Sequence, residues 1–166
     1  FHAKAIDETT RKYMGTLWNT YAFFILYAEI DQFNPKEHPL DKAELTLMDR
    51  WILSRLNSLV REVDDDLNEY KIFEASRAMT DFVDDLSNWY VRRSRERFWG
   101  KGMAGDKEAA FATLYHVLET MSRLTAPFTP FMAENMYRNL VCSVDKDAPI
   151  SVHMTDFPVC DETYIS

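Results

Sequence analysis

Arg92, Arg93, Arg95 and Arg97 crowd into one short run, with Trp89 and Tyr90 before them and Phe98, Trp99 and Lys101 after. A guanidinium offers a rigid fork of N–H donors that matches phosphate oxygens, and an aromatic face stacks on a base or ribose. Such a run supports recognition of a phosphate-bearing, partly unpaired polymer. It does not support bond making. Nowhere else in the chain is positive charge concentrated in this way.

No catalytic constellation occurs in the sequence. There is no glycine-rich phosphate loop, no paired-histidine motif and no Cys-x-x-Cys. His2, His38, His116 and His153 are scattered, and His116 is expected as a satisfied, half-buried side chain. Carboxylates cluster as Asp64-Asp65-Asp66 and Asp84-Asp85, runs that read as solvated helix faces or ends. Cys142 and Cys160, with His153 nearby, are too few for zinc, so free thiols in a reducing, cytoplasmic setting are expected. The apolar run Tyr21–Ala28 is far shorter than the about 20 residues a membrane span needs. The start at Phe1, without Met, reads as an excised fragment. Net charge is -8, whereas nucleic-acid-binding domains are usually basic, so any such role must rest on the local arginine patch.

The elements that must position this patch are helical. With only 4 Gly and 6 Pro there is little turn chemistry, which favours long helices. Apolar residues at three- and four-residue steps predict helices over about 8–30, 47–68, 70–99 and 107–125, and a short one from Pro130 to about Leu140. Thr46 and Asp49 form a capping-box pair at the start of the second, with Asp replacing the usual Glu or Gln. Asp106 is a candidate cap for the fourth, and Thr129 with Pro130 for the last. Pro35 and Pro39 stiffen the first connector, and Gly100, Gly102 and Gly105 break the chain after the third helix. After about Val144 the periodicity dissolves, and Ser151–Met154 reads as a short strand or extended segment. The fold expected is an all-α, antiparallel up-and-down bundle of four long helices and one short one, with a short extended C-terminal tail. Its division is 1–144 for the helical domain and 145–166 for the tail leading to the next region of a parent chain.

On a wheel at about 100° per residue, Ala75, Met79, Phe82, Leu86 and Trp89 share one arc, and Arg93 and Arg97 continue it. Arg92, Arg95 and Trp99 lie together one step to the side. Either the helix leaves the bundle at Arg93, exposing its arginines and aromatics, or Arg93 and Arg97 pair with buried carboxylates, for instance in the acidic run at 64–66. On this reading Arg92, Arg95 and Trp99 are the preferred RNA contacts. Arg93, Arg97 and Lys101 complete the candidate set, with Arg93 and Arg97 the ones expected to be structural. Arg11, Lys12, Lys71 and Lys107 are further basic residues that could extend a strip.

Several runs resemble a known family. Lys12-Tyr13-Met14-Gly15-Thr16-Leu17-Trp18-Asn19-Thr20-Tyr21 and Leu47-Met48-Asp49-Arg50-Trp51-Ile52-Leu53-Ser54-Arg55 resemble the helical domain that follows the catalytic domain of isoleucyl-tRNA synthetases. So do Leu86-Ser87-Asn88-Trp89-Tyr90-Val91-Arg92-Arg93-Ser94-Arg95, Leu124-Thr125-Ala126-Pro127-Phe128-Thr129-Pro130-Phe131 and the Ser151–Pro158 tail. The second run is shared with valyl and leucyl relatives, and the third points to isoleucine. The resemblance implies an α-helical anticodon-binding domain of a cytoplasmic ligase that charges tRNA(Ile) using ATP and Mg²⁺. It implies the tRNA(Ile) anticodon stem-loop and the catalytic domain of the same parent chain as partners. The family's His-Ile-Gly-His and Lys-Met-Ser-Lys-Ser signatures do not occur here, so no catalytic site, cofactor site or metal site is expected in this stretch. The alternatives are a helical protein-interaction module with no RNA role, or the same domain from a valyl-tRNA synthetase.

Overall fold

The structure, a computed structural model, describes residues 2–103 and 105–165, the side chains of 2–7 apart. Helix α1 (His2–Asp31) is about 45 Å long at 1.5 Å per residue. It buries Tyr13, Leu17, Tyr21 and Phe24 at the four- and three-residue steps of one stripe. A connector with one 3-10 turn (Leu40–Lys42) leads to α2 (Leu47–Asn68), whose predicted bounds hold. The capping box is formed as read: the Thr46 hydroxyl accepts from Asp49 N–H, and the Asp49 carboxylate accepts from Thr46 N–H.

The end of α2 is equally well defined. Lys71 N–H donates to Asp66 C=O and Tyr70 N–H to Leu67 C=O, the paired bonds of a Schellman turn, with Tyr70 at φ 61°. Tyr70 is 89% exposed, so its ring contributes little packing to offset a left-handed backbone. That conformation costs a non-glycine residue roughly 1–2 kcal/mol. Tyr70→Gly is therefore expected to raise stability by about 1 kcal/mol, read as a higher urea midpoint at unchanged m-value; a lower midpoint would mean that the ring is held by the fold.

Helix α3 (Ile72–Asp85) does not stop at Asp85. It continues through a π-helical segment (Leu86–Val91), one further α turn, α4 (Arg92–Ser94), and a 3-10 turn (Arg95–Phe98). After a turn at Gly102 (φ 77°), which glycine adopts freely, α5 (Gly105–Thr125) begins. Asp106 thus sits inside its first turn and is not its cap. Helix α5 is buried nearly all round, with Ala109, Ala110, Phe111, Ala112, Leu114, Val117 and Leu118 all at 4% exposure or less. A helix apolar on every side belongs in the centre, and α1, α2 and α6 all pack on it. His116 lies on this helix and is held below the usual imidazole range, chiefly by burial.

Helix α6 (Pro130–Tyr137) ends in a second π-helical segment (Arg138–Cys142). Thr129 precedes Pro130 as read, but its hydroxyl turns back to Thr125 and caps nothing. The molecule is an all-α bundle, and no strand occurs among the described residues. The strand considered for Ser151–Met154 is instead a 3-10 turn (Val152–Met154): Glu134 accepts from Ser151 Oγ and Val152 N–H, and the described residues hold no strand for it to pair with. The tail then returns to α2, where Asp161 N–H donates to Asn57 Oδ1 at 2.9 Å. None of the helices is long and apolar enough to cross a membrane among the described residues.

Candidate nucleic-acid interface

The π-helical segment decides where the arginines point. Up to Leu86 the arc Ala75, Met79, Phe82 and Leu86 is buried as the wheel predicts, with Thr80 and Val83 buried beside it. An i→i+5 turn inserts an extra residue into the helical register, so the face that follows is rotated. The core positions become Tyr90, Ser94 and Phe98, at 0%, 2% and 1% exposure. Trp89, placed in the core by the uninterrupted wheel, is 49% exposed, because the rotation carries it out. Arg93 moves with it and lies over the indole, 4.7 Å from the ring centroid. Phe98, read from sequence as free to stack, is instead fully buried between Phe23 and Phe111, at ring-centroid distances of 5.3 and 4.8 Å.

Arg97 takes the other course and acquires buried partners. Its Nη1 and Nη2 donate to Asp49 Oδ1 and Oδ2 at 2.7 and 2.8 Å, a bidentate fork. Its Nε donates to Asp106 Oδ1 at 2.7 Å. The Tyr90 hydroxyl donates to Asp49 Oδ1 at 2.6 Å. Asp49 is 0% exposed, and its two oxygens accept from Tyr90, Thr46 and twice from Arg97. Burial pushes its carboxyl up, but those bonds outweigh burial and leave it below the usual carboxylate range. Burial and the neighbouring Asp49 keep the Tyr90 phenol protonated well above its ordinary range, so it remains a donor. One guanidinium thus ties the start of α2, the end of the α3 continuation and the start of α5 together. The carboxylate that holds Arg97 is Asp49, not the Asp64–Asp66 run considered from sequence. Asp64 and Asp65 are exposed at the far end of α2.

The remaining candidates sit on the solvent side of this anchored end. Arg92, Arg95 and Lys101 are exposed and make no ion pair among the described residues. Trp99 is 54% exposed, and its Nε1–H donates to Tyr27 Oη at 3.0 Å, so one edge is tethered while the ring stays accessible. Lys107 does not extend the strip: it is 7% exposed, bonds Asp31 at 3.0 Å and donates to the Gly100 carbonyl. It pins the loop that carries Lys101. Lys12 and Lys71 are paired with Asp84 and Glu69, and Arg11 is exposed elsewhere on α1.

The structure therefore brings Arg92, Arg93, Arg95, Trp99 and Lys101 to one end of the bundle, exposed, and withdraws Arg97 from it. Asp49 and Tyr90 were not singled out for this site from sequence. The available signal was an arginine on a core arc, which requires a buried acid, together with an antiparallel α2–α3 hairpin, which sets the end of one helix beside the start of the other.

Comparison with known proteins agrees with this geometry. Residues 49–166 match the family described as anticodon-binding domain of tRNA ligase. The chain is 53% identical over 161 residues to an isoleucine–tRNA ligase of Clostridium novyi, covering 97% of this chain and 15% of that protein. It is 53% identical over 165 residues to one from Dehalococcoides mccartyi, covering 99% of this chain and 16% of the relative. The isoleucine–tRNA ligase of Bacteroides fragilis is 49% identical over 166 residues, 99% of this chain and 14% of the relative. The chain thus corresponds to a small part of each relative. With most of its length inside the matching region, it belongs to the family of anticodon-binding domains of tRNA ligases.

Proposed function

We propose that this chain holds the anticodon stem-loop of tRNA(Ile) as one part of a longer isoleucine–tRNA ligase. The parent would join isoleucine to its tRNA in the cytoplasm with ATP and Mg²⁺, at a catalytic domain elsewhere in the same chain. Residues 1–144 form the RNA-holding unit in this reading, and 145–166 lead to the next region of the parent. The observation that carries it is a pair of exposed guanidinium groups, Arg92 and Arg95, without carboxylate partners among the described residues in a chain of net charge -8. Arg55, Arg61, Arg123 and Arg138 each pair with a carboxylate. Arg11, Arg50 and Arg77 have no ion pair among the described residues either, but Arg92 and Arg95 stand three residues apart beside exposed Arg93 and Trp99. Arg92, Arg95 and Trp99 are assigned to phosphate and base contact, with Arg93 and Lys101 beside them. Arg97 acts by holding the helix end on which they stand.

Titration of an isoleucine anticodon hairpin at several salt concentrations tests this. Log affinity should fall linearly with log salt, and Arg92→Glu and Arg95→Glu should each weaken binding and flatten the slope by roughly one unit. A salt-independent affinity, or two variants that bind like the unsubstituted chain, would refute it.

A further inference from the structure

Beside the basic end, a cleft of about 940 Å³ opens between the start of α2, the π-helical segment and the last 3-10 turn (Glu162–Tyr164). Leu47, Met48 and Trp51 line it from α2, Trp89 from the π-helical segment and Tyr164 from the final turn. Leu47 is 85% exposed and Trp89 49% exposed, although both are large and apolar. Neither is needed to close the core, which Tyr90 and Phe98 complete.

The charge around this apolar floor is one-sided. Arg50 and Arg93 also line the cleft, and Arg50 is exposed without an ion pair among the described residues. The acid in its wall, Asp85, is already engaged by Arg55 at 2.9 Å. Arg93 lies over one face of the Trp89 ring, so the stack offers a second planar group, the guanidinium, on that side. A stacking floor, an edge guanidinium and a neutralised carboxylate suit a flat base with an attached phosphate. The same cleft edged with arginine is complementary to an anion, although the chain as a whole carries a net charge of -8.

We infer that this cleft receives an unpaired base of the bound loop, stacked on Trp89 and Arg93, with its phosphate at Arg50. The inference rests on the stem-loop reading above and adds to it a second contact, apolar where the first is electrostatic.

The test compares two RNA probes on the 166-residue chain. One is a hairpin with the isoleucine anticodon loop. The other has the same stem closed by a compact tetraloop that offers no free base. Trp89→Ala should weaken the first hairpin about tenfold, the usual scale for one lost base–aromatic stack, and leave the tetraloop hairpin unchanged. Trp89→Phe should retain most of the affinity. Leu47→Glu, at a side chain that packs on almost nothing, should weaken the first hairpin by a similar factor without risk to folding. If Trp89→Ala and Leu47→Glu bind both hairpins like the unsubstituted chain while Arg92→Glu binds weakly, the cleft assignment is wrong and the stem-loop reading stands. If the unsubstituted chain binds neither hairpin, both fall. Equal weakening of both hairpins would also overturn the cleft, because it would show a general loss of phosphate contact.

Discussion

Arg97→Ala is expected to destabilise the chain by about 3–5 kcal/mol, because it strands a fully buried carboxylate. Asp49 has 0% exposure and receives both prongs of the Arg97 fork. Without them only Tyr90 and the Thr46 amide remain as donors. Single domains are stable by only about 5–15 kcal/mol, so this one substitution removes a large share. Arg97→Lys should recover only part, since an ammonium is a point charge and cannot span two oxygens and Asp106 at once. Asp49→Ala should also cost several kcal/mol, adding the loss of the cap, typically about 1 kcal/mol, to the loss of the pair. The double substitution should cost clearly less than the sum, because neither partner is then left buried and alone. Urea midpoints of the four proteins measure all of this. A loss under about 1 kcal/mol for Arg97→Ala would mean that the pair is solvated and that the helix end is held by other contacts.

The same pair predicts an acid response. The folded Asp49 carboxyl titrates below its ordinary value. Its contribution is therefore fully present above the unfolded carboxylate range, near pH 3.9, and is lost as pH falls through the lower folded value. Arg97→Ala should remove that part of the acid transition.

The second large effect concerns the helical register. Phe98→Ala is expected to cost about 3–5 kcal/mol, the usual range for a buried phenylalanine. Trp89→Ala should cost no more than about 1 kcal/mol, the scale of an exposed cation–π contact with Arg93. An unbroken α-helix would reverse the two, with Trp89 in the core and Phe98 in solvent. Thermal or urea unfolding of both variants separates the cases. A Trp89→Ala loss exceeding that of Phe98→Ala would contradict the rotated register.

These residues also mark what the sequence discloses. Helix α2 was legible at both ends, because Thr46 and Asp49 announce its start and the Asp64–Asp66 run accompanies its finish. The central burial of α5 was visible only in part: its alanines at 109, 110 and 112 are small enough to pass unnoticed yet let neighbouring helices approach closely. The register change at Leu86–Val91 was not legible, since a π turn is defined by backbone pairing and the residues Leu86-Ser87-Asn88 are compatible with an ordinary α-helix. Extrapolating 100° per residue across it misplaced Trp89 and Phe98 and left Arg93 on the core arc. The dilemma at Arg93 and Arg97 was legible, and each residue resolves it differently. The acid that holds Arg97 was assigned to the wrong end of α2. The short connection at Glu69–Lys71 makes α2 and α3 antiparallel, so the end of the α3 continuation meets Asp49 and cannot reach Asp64–Asp66.

In the proposed function RNA lies at one end of the bundle, and the chain's 4 tryptophans report on that directly. Their indole N–H resonances can be followed while the isoleucine anticodon hairpin is added. Trp99 and Trp89 should shift as binding proceeds, with Trp51 at the cleft wall moving less. Trp18, on α1 and in ring contact with Tyr21, should stay in place. Shifts at Trp18 with Trp99 and Trp89 unmoved, or no shift at saturating RNA, would contradict the account.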